Sequence, residues 1–467
     1  MHATTSPVQM EMLGTKSVYI RHPEDMNLVL RNQGRFRKSE ASMSRLSAWL
    51  GNGLASNTDL PNHAAVKEVL LPAFKSASVK GFVPAFVRSA NELAAVIEGA
   101  DGQPCDIEPL CRRMTLDVIG RTGFGFDFKA LKAAAGQQAA ANGAAQGDVQ
   151  GGAIGDDYVD IIKMYDEILE PAMWLVFDLP IPEPLLPNIK NYYRGVAMVD
   201  DVIKKMVEEK RANGVREEDT DLLSFMIKAQ QGGNAVMTDK QLRDELQTMI
   251  LAGSDTTATT LAFALYELSR NPTLLEACRA EAQAVLGGRD PAGVPAEVFQ
   301  GQLPLITGVA NETLRLYPAA TETGRVADKD EEIGGYTIPA GTNILPSIYS
   351  LHRHEDFWPR PREWLPERWL PENAPTLAPH ADKAFMPFTV GPRSCIGRYF
   401  AQLELQVVLA VLLSRVRLEP APSFEVETRA SPHHLATFPP GHYTWTQTFT
   451  LSSKKGIFVV PSAYAST

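Results

Sequence analysis

Long apolar runs are missing from this 467-residue chain. A membrane-spanning helix needs about 18 or more consecutive apolar residues, and the longest candidate, 407–413, falls far short. Residues 1–10 carry no basic stretch followed by an apolar one, so the pattern of a cleaved secretory signal is missing too. Cysteine is scarce. Cys105, Cys111, Cys278 and Cys395 are too few and too scattered for a disulfide framework, and reduced thiols in a reducing compartment are expected. No block of Lys or Arg stands out to neutralise phosphates, and Lys+Arg 45 against Asp+Glu 55 leaves a net charge of -10, which argues against a nucleic-acid binder. No Gly-x-Gly-x-x-Gly follows a strand-like segment, so no dinucleotide-binding module is fused to the chain.

What is present is an ordinary globular balance, 44% apolar and 21% charged, which fits a large buried core. Residues 8–20 read as two short strands turning at Gly14, and Pro23 then opens a helix in whose first turn its missing N–H costs nothing. Helical spacing dominates from there to about residue 320, most clearly over 64–74, 110–123, 202–211 and 274–286. Thr238 and Gln241 have the spacing of a capping box, which predicts a long helix from Thr238 to just before Pro272. Residues 130–155, almost wholly Ala, Gly, Gln and Asn, have little to bury and are expected to form a mobile surface insertion. Past Tyr317 short strand-like pieces alternate with Gly and Pro. A last long helix is expected over 397–414 and a hairpin over 444–460. The expected fold class is mainly α with small β-sheets, without the regular strand–helix alternation of a parallel α/β fold.

The strongest chemical signal is Phe388-Thr389-Val390-Gly391-Pro392-Arg393-Ser394-Cys395-Ile396-Gly397. A Gly/Pro-shaped loop delivers one thiol to the start of an amphipathic helix, where unpaired N–H groups and the dipole are expected to lower its pKa and suit it to a metal. One Cys with no His or second Cys beside it is poor for zinc or an iron–sulfur cluster, which want several protein ligands. Haem iron accepts a single axial thiolate, because the porphyrin supplies the four in-plane donors. The bland alternative is a core cysteine beside a turn. A second oddity is Ala252-Gly253-Ser254-Asp255-Thr256-Thr257 in mid-helix, where Gly, Asp and Thr are all weak helix formers and such a conflict points to function. Its alternative is a packed helix whose hydroxyls bond back to earlier carbonyls. Third, Glu312 and Arg315 share one helical face by their spacing of three.

Together these motifs resemble the cytochrome P-450 superfamily, whose ligand loop, Phe-x-x-Gly-x-Arg-x-Cys-x-Gly, is matched at every defining position. The resemblance covers about residues 10–460, and it implies a single haem domain over 1–467 binding haem b, with Cys395 as the iron ligand and with Phe388, Arg393 and Gly397 shaping its loop. It implies that Ala252 and Gly253 leave room for O2 while Asp255 and Thr256 relay protons. Glu312, Arg315 and the Arg368 of Pro366-Glu367-Arg368-Trp369 would form a buried charge network fixing the cysteine loop. Arg325 and Arg393 would meet the haem carboxylates. The chain departs from the family where a Trp-x-x-x-Arg precedes Pro72-Ala73-Phe74: those positions are His63 and Lys67, which can donate hydrogen bonds but lack the Arg fork. The implied activity is monooxygenation of an apolar small molecule by O2, with electrons from a separate NADPH-dependent reductase or ferredoxin docking near Arg360, Arg362 and Arg398. The alternatives are a peroxide-rearranging or dehydrating enzyme of the same fold, and a non-catalytic haem-binding protein. The membrane anchor of many family members is not found, so the chain is expected to be cytoplasmic, truncated, or attached peripherally to a membrane through apolar surface such as 172–186.

Overall fold

The computed structural model describes residues 7–12, 15–40, 43, 46–100, 102–134, 183–185, 189–421, 445–447, 450–453 and 456–464. Helices α1 (Pro23–Arg31), α2 (Leu60–Leu70), α3 (Val83–Glu98), α4 (Ile107–Ile119), α5 (Ile189–Asn213), α6 (Leu222–Gln231), α7 (Asp239–Ser269), α8 (Pro272–Leu286), α9 (Pro304–Leu316) and α10 (Arg398–Arg415) make the body. The expected mainly helical architecture with small sheets is what the chain adopts.

The starts and stops follow local chemistry. In α7 the Thr238 side chain accepts from the Gln241 N–H at 3.1 Å, as an N-cap should. The other half of the expected box does not form. The Gln241 amide donates instead to the Asn52 carbonyl (2.9 Å) and to Glu245 (2.8 Å), because a neighbouring loop is close enough to compete. α8 and α9 each carry Pro in the first turn, and α8 stops at Gly287 in the left-handed region. α4 runs on into a π-turn, Gly120–Phe124.

Strands β1 (Val8–Met12), β2 (Thr15–Ile20), β3 (Phe36–Arg37), β4 (Cys105–Asp106), β5 (Arg325–Ala327), β6 (Glu331–Ile333), β7 (Tyr336–Ile338), β8 (Asn343–Pro346), β9 (Val416–Pro420), β10 (Trp445–Gln447), β11 (Leu451–Ser453) and β12 (Phe458–Ala463) form four small sheets. The largest has the order β1-β2-β8-β5-β3, with β2 and β8 parallel and the other pairs antiparallel. β4-β12-β9 is antiparallel, and β6-β7 and β10-β11 are hairpins. β10-β11 falls inside the hairpin expected over 444–460, whereas β12 leaves it to pair with β9.

One expectation is corrected. Residues 130–134 are not part of a featureless insertion but a helical turn, begun where the Asp117 carboxylate accepts from the Ala130 (2.8 Å) and Leu131 (3.1 Å) N–H groups. Residues 135–155 lie outside the described residues, as do 172–182 and 186 of the apolar stretch. The largest apolar cluster joins α3, α4, α7, α8, α9 and α10. A second gathers α2, α5, α6 and the first half of α7. α7 therefore passes between them, and from Asp244 to Ser269 every residue is buried except Ala252, Gly253, Ser254 and Thr256. No described helix is long and apolar enough to cross a membrane.

Candidate active site

The cysteine loop is shaped by its own backbone. Cys395 N–H donates to the Phe388 carbonyl (3.0 Å), Ser394 N–H to Gly391 (3.0 Å) and Thr389 N–H to Met386 (3.0 Å). Gly391 takes φ +80, where a side chain would be strained. Gly397 caps α10, and the Cys395 side chain remains exposed two residues before it. The lowered pKa expected there is not found. Burial of the surrounding site pushes the thiol up, and the Gly397 N–H, Lys67 and Arg398 only partly offset it. Desolvation wins over the helix terminus.

Around the thiol stands a group of cations. Lys67 donates to the Pro392 (2.8 Å) and Ser394 (3.2 Å) carbonyls, so it braces the cysteine loop and keeps one N–H free for an anion. Arg393 holds the Asn57 carbonyl (2.7 Å) and Gln33 (3.3 Å). Arg325, 3% exposed, holds the Thr323 hydroxyl (3.0 Å) and the Gly324 carbonyl (2.7 Å). Lys38, which no motif marked, donates to the Ala55 carbonyl. Burial and the charges of Arg325 and Arg393 push its ammonium down to about 7. Arg325 and Arg393 are each pushed down to about 10, chiefly by burial. His63 is buried and held neutral, its pKa driven down to about 3 by burial and then by Arg393, Lys67 and Lys38. None of the four cations has a carboxylate partner among the described residues. Clustered like charges without a counter-charge are costly, and they suit a ligand carrying two carboxylates beside a thiol-bound metal. Haem has that chemistry.

Beside Ile250 and Leu251, which share an apolar cluster with Ile396 of the cysteine loop, mid-α7 carries four less buried residues, Ala252, Gly253, Ser254 and Thr256. Thr256 Oγ donates to the Ala252 carbonyl at 2.8 Å, the bond-back pattern of the packed-helix alternative, yet its residue stays partly exposed. Ala252 is exposed. A Cβ on Gly253 would lie 2.9 Å from Ile119 Cγ1, so the glycine admits the close approach of α4. Asp255 faces neighbouring elements too. It is 4% exposed, lies 3.2 Å from Arg112 Nε and accepts from the Thr450 hydroxyl.

Below, Glu312, Arg315 and Arg368 are all 0% exposed. Arg315 grips both Glu312 oxygens (2.7 and 2.9 Å), and its other donors take the carbonyls of His352 (2.7 Å), Pro361 (2.7 Å) and Glu363 (2.9 Å). Arg368 Nε, Leu365 N–H and Trp369 Nε1 complete the Glu312 shell at 3.2, 3.0 and 3.0 Å. Burial alone would raise the Glu312 pKa, but Arg315 and Arg368 hold it below the ordinary range. His352 links this network to the cysteine loop. Its Nε2 accepts from Met386 N–H (2.9 Å) while Nδ1 lies 3.1 Å from the Arg315 carbonyl.

The fold and this site define a haem protein of the thiolate class, and comparison with known proteins agrees. The family model Cytochrome P450 matches residues 2–446. The chain is 30% identical to cyclooctatin synthase of Streptomyces melanosporofaciens, over 89% of this chain and 84% of that one. It is 28% identical to cytochrome P450 4c21 of Blattella germanica (86% and 77% covered). It is 29% identical to cyclooctat-9-en-7-ol 5-monooxygenase of Streptomyces melanosporofaciens (88% and 82%). The crystal structure of the cytochrome P450DA heme domain superposes with a TM-score of 0.78 at 24% identity, over 98% of this chain and 90% of that one. The chain belongs to the cytochrome P450 family and is a haem monooxygenase that works with O2 and a redox partner.

Proposed function

We propose that this chain hydroxylates an apolar small molecule, using haem b bound through Cys395 and electrons from a separate NADPH-dependent reductase or ferredoxin. One observation carries this reading: an exposed thiol stands among four cations that have no carboxylate partner among the described residues. When bound, haem supplies oxygen chemistry in which one atom of O2 enters the substrate and the other leaves as water, with two electrons and two protons consumed.

The chain's own residues hold and protonate. Lys38, Lys67, Arg325 and Arg393 bind the two haem carboxylates, with neutral His63 as a further donor. Lys67 and the Phe388 carbonyl fix the cysteine loop, and Arg393 and Gly397 bound it. Ala252 keeps the α7 face low, and the Thr256 hydroxyl, which at rest donates a hydrogen bond to the Ala252 carbonyl, serves as a proton relay. Asp255 supplies protons from behind that face, and to do so it must leave Arg112 and Thr450.

The reduced carbon-monoxide spectrum of the holoprotein is the test. A long-wavelength thiolate band is expected, abolished in Cys395→Ala. Thr256→Ala should retain the band while oxygen consumption uncouples from product. A histidine-type spectrum, or product formed from peroxide with no need of reductant, overturns the reading.

A further inference from the structure

The loop 51–57 connects two parts of the molecule that have so far been described apart: the first turns of α7 and the cation cluster. On the α7 side its backbone is taken up by side chains of one helix face. Asn52 N–H donates to Asp244 Oδ2 at 2.7 Å and Leu54 N–H to Glu245 Oε2 at 3.2 Å. The Gln241 amide donates to the Asn52 carbonyl at 2.9 Å and to Glu245 Oε1 at 2.8 Å. The approach is too close for side chains: a Cβ on Gly51 would lie 2.0 Å from the Asp244 carboxyl carbon, and one on Gly53 2.1 Å from Thr248 Oγ1.

On its other side the same loop ends on two of the cations. Lys38 donates to the Ala55 carbonyl, and Arg393 donates to the Asn57 carbonyl at 2.7 Å. Between these ends there is little slack. Ser56 Oγ donates to the Gly51 (3.0 Å) and Gly53 (3.2 Å) carbonyls, and Asn57 and Asn52 both donate to Asn62 Oδ1 (2.6 and 3.1 Å). The α7 end is anchored independently of the loop. Asp244, 1% exposed, pairs with Lys240 (2.6 Å) and Arg243 (2.9 Å), and Arg243 is tied to Asp200 (2.7 Å).

We infer that Asp244 and Glu245 are positioning residues for the cofactor: through loop 51–57 they hold the Lys38 ammonium and the Arg393 guanidinium where the haem carboxylates dock. The inference rests on the reading that these cations bind haem, and it adds two carboxyl groups that touch neither haem nor substrate. A side chain that orients a binding residue from one layer out commonly matters by about 10-fold or more in affinity for the bound group.

Transfer of haem from the holoprotein to excess apomyoglobin, followed by the Soret band, tests this without any turnover. Glu245→Ala and Asp244→Ala should release haem about tenfold faster than wild type. Glu245→Gln, which keeps an acceptor for Leu54 N–H, should stay within about threefold. Glu98→Ala removes an ion pair with Arg415 far from the loop and serves as the control for general loosening. Wild-type release from both Glu245→Ala and Asp244→Ala overturns the inference, as does equal acceleration in Glu98→Ala at matched thermal stability. Arg393→Ala separates the two levels. If it accelerates release while Glu245→Ala does not, the positioning role alone fails; if Arg393→Ala also releases at the wild-type rate, the underlying reading fails.

Discussion

Single side chains decide how this site meets its cofactor, and Lys38 is the most informative. Its ammonium is pushed down to about 7 from 10.5 by burial and by two neighbouring guanidiniums. In the haem-free chain the unfolded state therefore binds more protons than the folded state between about pH 7 and 10.5, and this residue's contribution to stability rises across that window. Docking an anion has the opposite sign. A carboxylate beside Lys38 favours its charged form, so binding takes up a proton and weakens as pH rises above about 7. Haem affinity measured from pH 6 to 9 should fall with pH in the wild type and flatten in Lys38→Gln; equal slopes would remove Lys38 from the clamp. The Glu312 network is the second case. Glu312→Gln leaves Arg315 and Arg368 buried without their counter-charge, a loss of about 3–5 kcal/mol. Thermal unfolding should show that loss, with haem content falling in parallel rather than turnover alone.

At the scale of elements, the long helix α7 was legible from its Thr238 cap and the Pro272 stop, because those are local signals. The reasons for its unusual residues were not. Gly253 faces Ile119, more than a hundred positions away in sequence, and Asp255 faces Arg112 and Thr450. No spacing rule encodes such meetings. Lys38, Asn57 and Gln33 escaped notice for the same reason, since they reach the site through loops that carry no motif. The ligand loop and the Glu312 and Arg315 pair were readable because each concentrates its chemistry in a short string, whereas Arg368, 56 positions from Glu312, entered only through the family resemblance. The packing role of Gly253 is open to measurement. Gly253→Ala should cost about 1–3 kcal/mol by overpacking α7 against α4, and adding Ile119→Ala should remove most of that penalty. A purely additive pair would place the strain elsewhere.

At the scale of the whole molecule, the net charge of -10 would repel an acidic redox partner unless basic residues gather locally. Arg360, Arg362 and Arg398 are all exposed, but Arg360 is paired with Glu363 (Nε at 2.9 Å), so of the three expected docking charges Arg362 and Arg398 are the ones to test. Reduction by an acidic partner protein should slow steeply with salt. Arg398→Glu should slow it at low salt and Arg360→Glu much less; salt-independent reduction in all three proteins would place docking on another face.

The guanidinium of Arg315 has one more implication. Residues 352–363 form neither helix nor strand, yet three of their carbonyls, those of His352, Pro361 and Glu363, converge on that one planar group. In a sheet an adjacent strand would supply such donors; here two buried guanidiniums do so, since Arg368 takes the Pro359 (2.7 Å) and Arg360 (3.1 Å) carbonyls of the same stretch, alongside its own turn bonds. Because Arg315 sits on α9, the course of this stretch is tied to that helix through a side chain rather than through a strand ladder.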